Sequence, residues 1–322
     1  MQTPRERFIA ALERQPLTGR VPHFELVFFL TMEALGRVHP THMSLGQWDQ
    51  MEEKERQLIR EYVADTYLLS AEKYEHSALF PQGMPVPAHR QIEEVTNLLR
   101  IIREKSGDRY FVMLHGDATY GVPNGNHMVE FSEWLADEPD RVHKQANEMV
   151  DNALRSAERW AGTGLLDGFA LCSDYCFNTG PFLSPRQFSE FVTPYLQRLI
   201  AGYRDMGYYV IKHTDGNIMP ILDQLVQANP HALHSLDPQG HVDIAEVKRL
   251  VGDQVCLIGN VSCSALDTGS DEEVVESTRY ALRHGMPGGG YIFSTSNCIY
   301  TGMRLQRYDL MQRIWKEEGN YA

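Results

Sequence analysis

Residues 208–217 read YYVIKHTDGN. An apolar, β-rich run ends abruptly in His213, Thr214 and Asp215, and an amphipathic stretch follows. The same grammar repeats along the chain. Short runs at residues 21–28, 74–80, 110–115, 165–172, 208–213, 232–236, 255–261 and 291–295 alternate with longer helical patterns. Ser184-Pro185 offers a capping serine and a first-turn proline. Residues 131–155, 243–251 and 271–284 begin with carboxylates that suit a helix N-terminus. Eight strands alternating with helices predict a parallel α/β sheet, and eight is the number that closes into a (β/α)8 barrel, the TIM-barrel fold. No GxGxxG follows the first run, which argues against a dinucleotide-binding sheet. Residues 32–60 read as a helical insertion after strand one, placed where a lid would sit.

Composition narrows the function. The chain has 322 residues, 30 Lys+Arg against 43 Asp+Glu, and a net charge of −13. A broad face for nucleic acid or anionic membrane is therefore not expected. No apolar run nears the roughly 18 residues of a membrane span. The charged, amphipathic N-terminus does not resemble a signal peptide, so a cytoplasmic location is expected. The five cysteines, at 172, 176, 256, 263 and 298, do not form a disulfide framework pattern. Cys256 reads as core, and the C-x3-C of Cys172 and Cys176 lacks the spacing and partner pair of a zinc knuckle. The glycine triplet 288–290 precedes the last strand and reads as a tight turn.

In a barrel the active site lies at the carboxyl ends of the strands. Those ends supply His23 and Glu25, Glu75 and His76, His115 and Asp117, Asp174 and Tyr175, His213 and Asp215, Asp237, Asn260, and Asn297 and Cys298. His23 and Glu25 are two apart and share a strand face. The lumen is the expected face, because a carboxylate against the helix layer would cost several kcal/mol. His231, His234 and His241 read as surface or packing residues.

The chain resembles the uroporphyrinogen decarboxylase superfamily, which also contains cobalamin- and corrinoid-dependent methyltransferases. The resemblance is carried by TPRERFIAALERQPLTGRVP (3–22), GPFLSPRQFSEFVTPYLQRLI (180–200) and IKHTDGNIMPILDQL (211–225). It continues through VDIAEVKRLVGDQVCLIGNV (242–261), LDTGSDEEVVESTRYAL (266–282) and GGGYIFSTSNCI (288–299). It implies one barrel domain over residues 1–322. True uroporphyrinogen decarboxylases carry an arginine-rich RQAGR stretch after strand one. Here FELVFFLTMEALGR (24–37) holds Glu25 and no arginine before Arg37, and the family's late His-Gly is replaced by SNCI (296–299). A polycarboxylate tetrapyrrole is therefore a poor substrate for this chain.

The methyltransferase branch holds zinc through a His-x-Cys pair and a later Cys. By resemblance His213 and Cys298 are metal ligands, with Asp215 or Glu25 completing the set. The resemblance also implies demethylation of a small methylated substrate, such as an aryl methyl ether or a methylamine, with transfer to a corrinoid protein. Asp174, Tyr175 and His115 are then the expected proton donors, and His23, Glu75, Asp117 and Asn260 the expected substrate contacts. Two rival readings are a metal-free lyase or decarboxylase and a non-catalytic tetrapyrrole- or corrinoid-binding barrel. The aromatic content leaves room for a homodimer interface.

Overall fold

A computed structural model describes residues 2–321. Seven parallel strands form one sheet, and we number the barrel strands from the chain segment that closes it. That segment, β1, spans residues 22–24. It is followed by β2 (Ala78–Leu79), β3 (Phe111–His115), β4 (Gly168–Leu171), β5 (Tyr209–His213), β6 (Ala232–His234), β7 (Cys256–Val261) and β8 (Tyr291–Thr295). Neighbours follow chain order from β2 to β8. His23 bridges in parallel to both His76 and Phe293. Backbone bonds Phe24 N to Phe293 O (3.0 Å), Phe293 N to Pro22 O (2.9 Å) and Ser77 N to His23 O (2.7 Å) seal the seam. The fold is thus a TIM barrel, as the strand count predicts.

Side-chain alternation then divides the residues between lumen and helix layer. Phe24, Leu26, Ala78, Phe80, Phe111, Met113, Ala170, Ile211, Ala232, Ile258 and Ile292 pack together as the lumen core. The amino end of this core is plugged by the helix Pro4–Leu12. Its start is fixed by a capping box, in which Thr3 Oγ1 accepts from Glu6 N and Glu6 returns a carboxylate to Thr3 N. Phe8, fully buried, packs tilted against Phe111 and edge-on to Phe24, with ring centres 4.8 and 5.8 Å apart.

The structure redraws one expected helix and one expected strand. The pattern over residues 131–155 is split into Met128–Asp137 and Pro139–Ala157, because Pro139 cannot donate to the preceding turn and opens a new helix instead. The strand expected at residues 74–80 shrinks to two residues. The helix Glu53–Tyr74 runs through Tyr74 and ends on Glu75 in the left-handed conformation. Residues 32–60 contain the short helix Thr31–Leu35, two single turns and the first part of that long helix. This segment is pinned rather than free: Trp48 is buried and donates to Glu94, which also receives Arg60 at 2.6 Å. No described helix is long and apolar enough to cross a membrane.

Phe8 is the test of the plug. Phe8→Ala should lower unfolding free energy by about 3–5 kcal/mol in urea titrations, the range for truncating a buried aromatic. A loss under about 1 kcal/mol would show that the helix does not seal the barrel.

Candidate functional site

Strand β5 sets the geometry of the barrel mouth. Ile211 faces the lumen core, so Lys212 turns to the helix side and His213 returns to the axis. Lys212 is fully buried. Its ammonium donates to Asp117 (2.8 Å), to the carbonyls of Ser173 (2.9 Å) and Leu171 (3.3 Å), and lies 4.1 Å from the Tyr175 ring centre. Asp117 also accepts from Thr119 N and Oγ1 and from Ser173 N. Burial works to raise the Asp117 pKa, but the adjacent ammonium and these donors overcome it and hold it at about 2. The pair anchors the loops after β3 and β4. Asp117 is therefore a structural anchor and not the expected substrate contact, since its oxygens are already engaged. Tyr175 is corrected likewise: it is buried, its hydroxyl donates to Thr119 Oγ1 at 2.6 Å, and its ring packs on Phe188.

At the axis three donors converge. His213 Nε2 lies 3.8 Å from Asp174 Oδ1 and 3.7 Å from Asp215 Oδ1, and one donor atom from each residue falls within 4.8 Å of the others. Asp215 N donates to Asp174 Oδ1 at 3.1 Å, and Ser235 Oγ (2.8 Å) and Asn297 Nδ2 donate to the two oxygens of Asp215. Burial, reinforced by the neighbouring Asp174 charge, raises Asp215 to about 7. Burial also depresses His213 to about 3, aided by the Lys212 charge, so the imidazole is neutral. Gly216 makes the turn behind Asp215. Its φ is +77°, and a Cβ there would sit 2.7 Å from the carbonyl oxygens of Cys176 and Phe177.

Other expected residues lie elsewhere. His23 and Glu25 share a face, but it is the helix layer and not the lumen, because Phe24 and Leu26 take the lumen positions. His23 contacts the Tyr74 carbonyl (3.2 Å), Gln312 (3.0 Å) and Glu25 (3.2 Å) under the C-terminal helix Leu305–Glu318. Glu25 accepts from Thr295 Oγ1 at 2.5 Å, and burial raises it to about 8. With His23 held neutral by burial, near 3, the two form a neutral hydrogen bond with the proton on Glu25. That relieves the cost that made the helix layer look unfavourable. Glu25 is thus withdrawn from the metal set, and His23 from substrate contact. Glu75 belongs to the amino end of β2, exposed and paired with Arg20 and Lys316.

Cys298 lies at the mouth against the lumen core, outside the His213 cluster, with its thiol pKa raised by burial and by nearby Cys263 and Asp215. Asn260 donates to the Leu236 carbonyl and lines a separate cavity of about 810 Å3 with Ser264, Glu273 and Tyr280. His115 ends β3 exposed at the rim; partial burial and Lys212 lower its pKa, against the pull of Asp117. Asp174, expected as a proton donor, stands instead in the three-donor cluster. Sequence reasoning missed Lys212 and His234; the latter holds His213 Nδ1 at 2.7 Å. Their only signal was alternation along β5 and the parallel register of His213 with His234.

The geometry defines a closed α/β barrel with an acidic, imidazole-bearing mouth. A family model described as uroporphyrinogen decarboxylase (URO-D) matches residues 82–317, and the chain belongs to that family. A uroporphyrinogen decarboxylase of Thioalkalivibrio sulfidiphilus is 26% identical over 247 residues, 70% of this chain and 65% of that protein. One from Aeromonas salmonicida is 25% identical over 238 residues, 68% and 62% respectively. The matched region therefore spans less than two thirds of these relatives. Among solved structures, a methyltransferase from Methanosarcina mazei superposes with a TM-score of 0.76 at 18% identity, covering 98% of this chain and 99% of that one. At this identity the likeness is one of fold.

The Glu25 assignment has a pH signature. Between its ordinary value near 4.5 and about 8 the folded state holds a proton the unfolded chain has released, so stability falls as pH rises through that window. Asp215 contributes in the same direction up to about 7. Glu25→Gln should flatten the stability–pH curve above pH 7, measured by urea unfolding of metal-free protein. A slope identical to wild type would contradict the buried neutral carboxyl.

Proposed function

We propose that the barrel mouth binds a divalent cation, zinc, on His213, Asp215 and Asp174, and transfers a methyl group from a small methylated substrate to a corrinoid protein. The carrying observation is the donor cluster itself. Two carboxylates and a neutral imidazole face one point with no basic side chain between them among the described residues. Tetrahedral zinc at about 2.0–2.2 Å from each donor wants donors about 3.4 Å apart. The separations of 3.7 and 3.8 Å from His213 to the two aspartates need a few tenths of an ångström of closure, and the two carboxylates, within 4.8 Å of each other, can close by rotation of the exposed Asp174 side chain. A mixed nitrogen and carboxylate set suits this borderline ion, and three protein ligands leave a position for substrate.

When bound, zinc supplies Lewis acidity to the oxygen or nitrogen that loses its methyl group. The chain's own part is to hold and orient. His213 and Asp215 are fixed by buried or half-buried partners, whereas Asp174 sits exposed at the rim and can adjust. His115, exposed on the next strand but one, is a rim group able to exchange a proton with the leaving atom. A decarboxylase acting on a polycarboxylate would need cations here. The arginine nearest that role, Arg37, is spent on Thr66 and the Tyr62 carbonyl, with its guanidinium 4.0 Å from the Tyr62 ring. Methyl transfer is supported by the structural likeness to a methyltransferase, whereas the corrinoid partner and the methylated substrate are what the sequence resemblance implies.

Protein purified without chelator should take up about one zinc per chain. His213→Ala and Asp215→Asn should weaken zinc at least ~100-fold, while Cys298→Ser should change it only a few-fold, read by competition with a chromophoric chelator. Wild-type protein that refuses zinc, or a Cys298→Ser loss equal to that of His213→Ala, would overturn the ligand set. Loaded enzyme should convert a Co(I) corrinoid to its methylated form when given an aryl methyl ether or a methylamine. No spectral change with any such donor would remove the transfer reaction.

A further inference from the structure

The end of β6 carries a second imidazole that no part of the proposed reaction uses. His213 and His234 are register partners on adjacent parallel strands, and both rings face the barrel axis. Their Nδ1 atoms are 2.7 Å apart, and both rings are buried. Two nitrogens at that distance share one proton, so one ring donates and the other accepts. The direction is decided across the barrel. His234 Nε2 lies 3.2 Å from the Thr295 carbonyl at the end of β8. A carbonyl only accepts, so His234 carries its proton on Nε2. No carboxylate contacts the His234 ring among the described residues, so a second proton there would be a buried, unpaired charge. Its Nδ1 is therefore the acceptor, and His213 donates from Nδ1.

The consequence falls on the other nitrogen of His213. With its proton committed to His234, Nε2 presents a lone pair toward Asp174 and Asp215, at 3.8 and 3.7 Å. Left to themselves, the two carboxylates would draw the proton to Nε2 and leave no ligand atom. We propose that His234 is a positioning residue: anchored on the Thr295 carbonyl, it accepts the Nδ1 proton of His213 and so keeps Nε2 free to bind a cation. The role of the lone pair rests on the cation reading above, but the proton's location does not. Partners that fix the tautomer of a ligating histidine typically shift metal affinity by about 10–100-fold.

Two measurements test this. Nitrogen NMR of the metal-free, full-length protein labelled in its histidines should show His213 protonated at Nδ1 and bare at Nε2. A His213 proton on Nε2 would overturn the proposal. Zinc alone, titrated against a chromophoric chelator, should bind His234→Phe about 10–100-fold more weakly than wild type. His234→Gln keeps one acceptor and one donor and should recover most of that loss. Equal affinity in wild type and His234→Phe would overturn the positioning role. If His234→Phe fails to fold, the NMR result on wild type still decides. The expected tautomer in a protein that takes no zinc would uphold the hydrogen-bond direction and remove the cation reading instead.

Discussion

The seam at His23 is the constraint on which the other placements depend. Because β1 bonds to both β2 and β8, the sheet closes and every strand residue must choose lumen or helix layer. Phe24 and Leu26 go inward to complete the apolar core, which forces His23 and Glu25 outward. On β5 the same alternation buries Lys212 behind the wall and delivers His213 to the mouth. A shift of one residue at either strand would exchange these roles.

The two sides of β5 show opposite electrostatic solutions. Behind the wall, Lys212 and Asp117 neutralise one another and satisfy the loop backbone around them. Removing one partner of such a pair leaves a buried, uncompensated charge, so the pair is an anchor with little freedom to do chemistry. At the mouth, Asp174 and Asp215 face an imidazole that carries no charge, and Asp215 responds by holding its proton up to about 7. One cluster is complete without a ligand. Under the proposed function, the other becomes complete when a cation takes the place of that proton.

The barrel, most helices and the polar residues that gather at the strand ends were legible in the sequence because they depend on local pattern: apolar runs ended by polar residues, Ser184-Pro185, and the acidic helix starts. Facing was harder to read. His23 and Glu25 were correctly paired on one face, but the choice of face turned on the packing of Phe24 and Leu26 and on a proton shared between neutral groups. Glu75 was misplaced because the helix before it runs to Tyr74 and leaves only two residues for β2. Cys298 looked like a ligand from its position in the chain, yet Asp174, from a different strand end, fills the third corner of the cluster. His234 read as a surface or packing residue, since its meaning lies in register with His213 and in a carbonyl two strands away.

The most direct test of the central claim is anomalous diffraction from crystals of this protein grown with zinc. The account predicts one strong peak at the barrel mouth, bonded to His213 Nε2 and to one oxygen each of Asp174 and Asp215, with His213 Nδ1 still directed at His234. An empty mouth at saturating zinc, or a metal held by Cys298 and away from the two aspartates, would contradict it.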